Sequence, residues 1–230
     1  MSSWRELIKH KLQIVLNPVV QLISRAGLTP NHVTTIGFIL NVVVAIWYIL
    51  AAESDQRMDL SYVGWGGALI LFAGIFDMLD GQLARHTQSA SKFGALYDSV
   101  LDRYSELLMF LGICYYLVSY HYFLSSIFAF IAMIGSMMVS YIRARAEGLG
   151  IECSDGLMQR PERIITIGLS GIACGIVNHF VGEVHWSVEG IPFQLFETMS
   201  CFTFPIAILA ILANYTAYSR LLHCKKALSQ

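Results

Sequence analysis

Four aspartates stand inside long apolar stretches of this chain, where ionisable side chains are rare. Asp77 and Asp80 are three residues apart, and Asp98 and Asp102 are four apart. On a helix of 3.6 residues per turn these spacings separate the members of a pair by about 60° and about 40°, so each pair projects from one helix face. The polar segment 85–91 between the pairs is short. It turns the chain back and lets two antiparallel helices aim all four carboxylates into one space. Ionisable groups at membrane depth cost at least about 2.5 kcal/mol each. Clustered carboxylates also repel, and they stay charged only with cations between them. All-oxygen ligand sets suit hard divalent ions such as Mg2+ or Mn2+, and a pair of such ions is a recurrent device for displacement at phosphorus. Spacing alone leaves two other readings open: a proton or Na+ relay in a transporter, or structural pairing of aspartates with Arg85 or Arg103.

The elements that must hold these groups are apolar. Of 230 residues, 56% are hydrophobic and only 13% charged, with a mean hydropathy of +0.58. Soluble domains carry about 25% charged residues, so a disordered chain, a collagen-like chain and an ordinary cytosolic enzyme are excluded. A net charge of −1 and a pI near 6.6 give no basic balance for a nucleic-acid partner. The five cysteines (Cys114, Cys153, Cys174, Cys201 and Cys224) form no CxxC pair and read as small buried hydrophobes. His32, His86 and His185 have no metal-ligand spacing and read as surface or interface residues.

Six apolar stretches, near 32–52, 61–84, 95–119, 123–145, 160–182 and 198–219, approach the roughly 20 residues needed to cross a bilayer core. With six spans, every Lys and Arg except Arg57 falls on one side. Five or seven spans would scatter these charges, so both termini are expected in the cytoplasm, with the protein in the inner membrane. Residues 1–27 mix Trp4, Leu7, Ile8, Leu12, Val15, Leu16, Val19 and Leu22 with Arg5, Lys9 and Lys11, and Pro18 interrupts the run. They predict a juxtamembrane amphipathic helix lying in the membrane interface; packing of that helix on protein is the alternative. No signal-peptide pattern is found there. The expected fold is therefore an all-α integral membrane protein: six transmembrane helices over 28–230, preceded by an N-terminal amphipathic interfacial helix.

The residues around the aspartates narrow the chemistry. The chain runs Asp77-x-x-Asp80-Gly81-x-x-Ala84-Arg85, then eight residues to Gly94-x-x-x-Asp98-x-x-x-Asp102. This resembles the signature of the CDP-alcohol phosphatidyltransferase family at all its fixed positions. The opening Pro30-Asn31-His32-Val33-Thr34 is similar to the P-N-x-x-T common before the first span of that family. The resemblance implies transfer of a substituted phosphate from a CDP-linked donor to an alcohol, with release of CMP, and it disfavours the transporter. It implies two Mg2+ or Mn2+ ions on Asp77, Asp80, Asp98 and Asp102, with Asp102 as general base. It also implies a nucleotide site using Gly81, Arg85 and Ser91, with Ala84, Asn31 and Thr34 as further candidates. Each has a plainer explanation: helix–helix packing for Gly81 and Ala84, interface snorkelling for Arg85, and helix N-capping for Asn31 or Thr34. Homodimers are common in the family, and a homodimer is expected on that ground.

The acceptor is read from a second cluster. The segment between the fourth and fifth spans carries Ser140-Tyr141-Ile142-Arg143-Ala144-Arg145-Ala146-Glu147 and, later, Arg160-Pro161-Glu162-Arg163. Arg143, Arg160 and Arg163 could gather on one phosphate beyond the CDP; alternatively they obey the positive-inside rule or pair with Glu147 and Glu162. Both stretches resemble those of the prokaryotic phosphatidylinositol phosphate synthases within the family, which implies CDP-diacylglycerol as donor and inositol 1-phosphate as soluble acceptor. Glycerol 3-phosphate, the acceptor of phosphatidylglycerophosphate synthases, is the nearest alternative. An ion-coupled transporter, or a catalytically silent lipid-binding relative, is the non-enzyme alternative.

Overall fold

The computed structural model describes residues 2–54, 59–153, 156–182, 184–186 and 196–229, with side chains for these except 2–12, 185, 186 and 196. Arg57, the one basic residue read on the opposite side, lies outside the described residues, as do the side chains of Arg5, Lys9 and Lys11. Seven helices are present among the described residues: α1 (Ser2–Arg25), α2 (Pro30–Ala52), α3 (Ser61–His86), α4 (Lys92–Ser119), α5 (Phe123–Gly148), α6 (Arg160–Val181) and α7 (Ser200–Leu228). A two-residue antiparallel pair, β1 (His185–Trp186) with β2 (Phe196–Glu197), lies between α6 and α7.

Five helices (α2, α3, α5, α6 and α7) are long and apolar enough to cross a membrane. The 28-residue α4 is long enough, but Asp98, Asp102, Arg103 and Glu106 make it too polar to stand with those five. Two features differ from the sequence reading. Pro18 lies inside α1 without breaking it. The stretch 140–147 is also helical, since α5 runs on to Gly148. Ala, Arg and Glu are good helix formers, and the Arg143 Nε to Glu147 Oε1 pair at 2.8 Å braces that last turn at i,i+4.

Side chains and turns set the helix ends. Thr29 begins α2 with a reciprocal cap: its Oγ1 accepts from the His32 N–H (3.4 Å), while its own N–H donates to His32 Nδ1 (3.3 Å). This is the geometry of a capping box, with His in place of Glu or Gln. Ser91 Oγ accepts from the Gly94 N–H at 2.9 Å and caps α4. Four helices close through a left-handed residue with paired 6→1 and 5→2 bonds. Gly27 (φ +73°) and Gly150 (φ +75°) fill that position after α1 and α5, but Gln88 (φ +52°) and His121 (φ +66°) do so after α3 and α4.

The chain divides into two compact units, and α2, α3 and α4 contribute residues to each. The first comprises residues 1–40 and 72–105. Its core is Val20, Val33, Leu79 and Leu83, packed by Leu16, Ile23 and Phe76. One face of α1 therefore packs on protein, while Ile14, Val15, Val19 and Leu22 on the other are exposed.

The second unit comprises residues 41–71 and 106–230. Its core holds Tyr48, Met109, Phe110, Ile113, Tyr116, Leu117, Ile167, Phe202 and Leu209. Here α3 and α6 meet along glycines: a Cβ on Gly67 would lie 2.5 Å from Gly168 O, and one on Gly64 would lie 3.0 Å from Gly175 Cα. Small residues permit this approach, as is usual between helices in a membrane. Buried in the same unit, Arg163 (0% exposed) forks onto Glu106: Nε to Oε1 at 2.7 Å and Nη2 to Oε2 at 2.9 Å.

Candidate active site

The first unit contains a cavity of about 630 Å³, within the usual range for small-molecule sites. The α1–α2 turn supplies Gly27, Leu28, Thr29, Pro30 and Asn31, α2 supplies Thr34, and α3 supplies Asp80, Gly81, Ala84 and Arg85. The α3–α4 turn and the start of α4 supply Thr87, Ser89, Ala90, Ser91, Gly94, Ala95 and Asp98. All six residues expected at a nucleotide (Asn31, Thr34, Gly81, Ala84, Arg85 and Ser91) thus line one space, together with two of the four aspartates.

The aspartates are arranged unequally. Asp80 is buried, and its Oδ2 accepts from the Thr34 hydroxyl at 2.9 Å. It lies within electrostatic reach of Asp98 and Asp77. Asp77 is half-buried, and its Oδ1 stands 3.6 Å from where a Cβ on Gly37 would lie. Asp102 is half-buried one turn beyond Asp98 on α4, and neither Asp77 nor Asp102 is among the cavity's lining residues. Arg103 turns back along α4 to the Ser99 carbonyl and hydroxyl. Neighbouring carboxylates repel, and among the described residues no three His, Cys, Asp or Glu side chains are gathered tightly enough to ligate an ion. The donor chemistry, all carboxylate oxygen, still fits a hard divalent cation.

Gly81 separates the two explanations offered for it. A Cβ there would meet only Arg85 Nη1, at an ordinary 3.7 Å. No neighbouring helix demands a glycine at this position, so the missing side chain opens cavity space. Gly94 is tighter, with a Cβ 3.0 Å from Ser91 Oγ and 3.3 Å from Asn31 Oδ1. Thr29 and Ser91 perform the capping, and Thr34 ties α2 to α3 through Asp80.

The three arginines expected at an acceptor phosphate have different surroundings. Arg143 is exposed and paired with Glu147, while Arg160 is half-buried at the start of α6. Arg163 commits three of its five N–H donors, two to Glu106 and one, through Nη1, to Met158 O at 3.0 Å. Arg220, counted from sequence only toward orientation, is 4% exposed and donates Nη1 to Val139 O at 2.8 Å. Its one sequence signal is an isolated charge late in an apolar stretch.

Comparison with known proteins gives one consistent answer. Residues 27–188 match the model of a family described as CDP-alcohol phosphatidyltransferase. A phosphatidylinositol phosphate synthase of Mycobacteroides abscessus is 33% identical over 162 residues, 70% of each chain. An archaetidylinositol phosphate synthase of Methanothermobacter thermautotrophicus is 34% identical over 180 residues, 78% of this chain and 84% of that one. The crystal structure of Mycobacterium tuberculosis phosphatidylinositol phosphate synthase with CDP-DAG bound superposes with a TM-score of 0.68 at 26% identity, covering 90% of this chain and 92% of that one. The same enzyme in complex with manganese and citrate gives 0.69, covering 90% and 87%.

Proposed function

This chain belongs to the CDP-alcohol phosphatidyltransferase family, and we propose that it transfers the phosphatidyl group of CDP-diacylglycerol to inositol 1-phosphate, releasing CMP. The observation that carries this reading is the cavity that Asn31, Thr34, Gly81, Ala84, Arg85 and Ser91 line together with Asp80 and Asp98. The bound CDP-DAG of the structural neighbour supports the donor, and the names of the relatives support the acceptor.

In this mechanism Gly81 lets the pyrophosphate approach the backbone of α3, and Arg85 offers a planar fork to a phosphate. Asp77, Asp80, Asp98 and Asp102 would hold two divalent ions, Mg2+ or Mn2+, which supply charge neutralisation for the pyrophosphate and the departing CMP. Asp102 takes the proton of the acceptor hydroxyl as its oxygen bonds to the phosphatidyl phosphorus and the bond to the CMP oxygen breaks. Arg143 and Arg160 are proposed for the acceptor's own phosphate; Arg163, the third arginine expected there, is closed to solvent on Glu106 and supports the start of α6 instead.

With α4 as a sixth span, the chain lies in the inner membrane with both termini and the site on the cytoplasmic side. The helix α1 (Ser2–Arg25) is the interfacial helix, and its exposed Val15, Val19 and Leu22 face lipid. A homodimer belongs to the same proposal. The test is CMP release from CDP-diacylglycerol in vesicles, comparing inositol 1-phosphate, glycerol 3-phosphate, serine and free inositol. Preference for inositol 1-phosphate is expected. Preference for glycerol 3-phosphate would move the assignment to phosphatidylglycerophosphate, and preference for serine or free inositol would remove the role given to the arginines.

A further inference from the structure

Two adjacent threonines of α2 reach two different helices. Consecutive helical residues diverge by about 100°, so Thr34 points to α3 and Thr35 to α4. Thr34 Oγ1 lies 2.9 Å from Asp80 Oδ2 and 3.0 Å from Pro30 O. Thr35 Oγ1 lies 2.7 Å from Asn31 O and 3.0 Å from Tyr97 Oη. A hydroxyl has one proton to give. The Asn31 carbonyl can only accept, and it is the shorter contact, so the Thr35 proton goes to Asn31. The phenol of Tyr97 must then donate to Thr35. The relay runs in one direction, from Tyr97 O–H to Thr35 Oγ1 to the Asn31 carbonyl.

From this geometry we infer that Tyr97 and Thr35 are positioning residues for the nucleoside diphosphate site, holding Asn31 on α2 and Asp98 on α4 in register across the cavity. Asn31 and Asp98 both line that cavity. Tyr97 immediately precedes Asp98, and Phe93 stacks on its ring (centroids 5.9 Å, 28°). The stack limits the phenol's freedom, so its hydrogen bond sets the rotation of the α4 turn that carries Asp98. Tyr97 is not among the lining residues; it acts through its neighbours. The inference rests on the cavity being the CDP site proposed above.

The test uses the full-length protein in lipid nanodiscs, titrated calorimetrically with CDP in the presence of Mn2+ and without acceptor, so the readout does not depend on turnover. Tyr97→Phe removes only the donor, Thr35→Val removes the relay at constant shape, and Thr35→Ser restores the hydroxyl. Tyr97→Phe and Thr35→Val are each expected to weaken CDP binding roughly tenfold, the scale of losing an outer support of a binding ligand. Thermal midpoints should stay close to the parent, Thr35→Ser should recover affinity, and the double variant should be no worse than Thr35→Val alone. Unchanged CDP affinity in Tyr97→Phe while the parent binds CDP would overturn the relay; so would a lowered melting temperature at unchanged affinity, since the bond would then serve only the fold. A parent chain that binds no CDP would instead overturn the proposed function.

Discussion

Arg163 and Glu106 form a two-pronged ion pair that is almost wholly closed to solvent, at 2.7 and 2.9 Å. Glu106 lies four residues after Asp102 and eight after Asp98 on α4, so by helical spacing it continues the aspartate column by one turn. Arg163 donates onward to Met158 O, and the Met158 N–H donates to Thr216 Oγ1 at 3.4 Å. The pair thereby fixes the entry to α6, where Arg160 begins the helix.

Removing one partner of this pair should cost about 3–5 kcal/mol, because the other charge stays buried and unanswered. Glu106→Ala is expected to lower the melting temperature sharply in detergent. Glu106→Leu combined with Arg163→Met should recover much of the loss. If the double variant melted no higher than the single one, the pair would not be the source of the cost.

Two glycines should respond oppositely to the same methyl group. Gly67→Ala puts a Cβ 2.5 Å from Gly168 O and 2.8 Å from Ile172 N, both backbone atoms that cannot step aside cheaply. A loss of about 1–3 kcal/mol is expected, as for other overpacked sites. Gly81→Ala meets only Arg85 Nη1 at 3.7 Å and gains about 1 kcal/mol of helix propensity. Its melting temperature should hold or rise while the KM for CDP-diacylglycerol increases. Melting curves and CMP-release kinetics on the two variants check both halves.

Asp102→Asn should insert and melt like the parent and lose nearly all CMP release. Exhaustive chelation should abolish activity in the parent, and Mg2+ or Mn2+ should restore it. Wild-type turnover by purified Asp102→Asn would remove the general-base role, and full activity after chelation would remove the ions.

Gln88 occupies a left-handed position (φ +52°) that glycine fills after α1 and α5. A side chain there costs roughly 1–2 kcal/mol. Gln88→Gly should relieve part of this, offset by the added freedom of the unfolded chain. A melting temperature at or above the parent's is expected, and a clear decrease would mean that the Gln88 side chain itself supports the turn.

Much of this protein was legible in the residues alone. Long apolar stretches can satisfy their backbone only as helices in a bilayer, so each of the six predicted stretches holds one helix, and the largest difference is α7, which runs on to Leu228. The aspartate spacing left metal-assisted displacement, an ion relay and structural pairing open, and the family resemblance carried by Gly81, Ala84, Arg85 and Gly94 chose among them. The cap by Thr29 and His32 could have been read from T-P-N-H had histidine been allowed the place of glutamate.

Other features had no linear trace, because they depend on which atoms meet across elements. Whether Arg163 faces a ligand or Glu106 is decided by partners 57 residues apart. Whether Gly81 serves packing or substrate depends on what stands opposite its missing Cβ, and Gly67 differs from it only in its neighbours. The hydroxyl relay from Tyr97 through Thr35 joins residues 62 apart whose types are unremarkable in a helix. Composition and period are properties of the chain, but the direction of a proton along three oxygens exists only once the helices have docked.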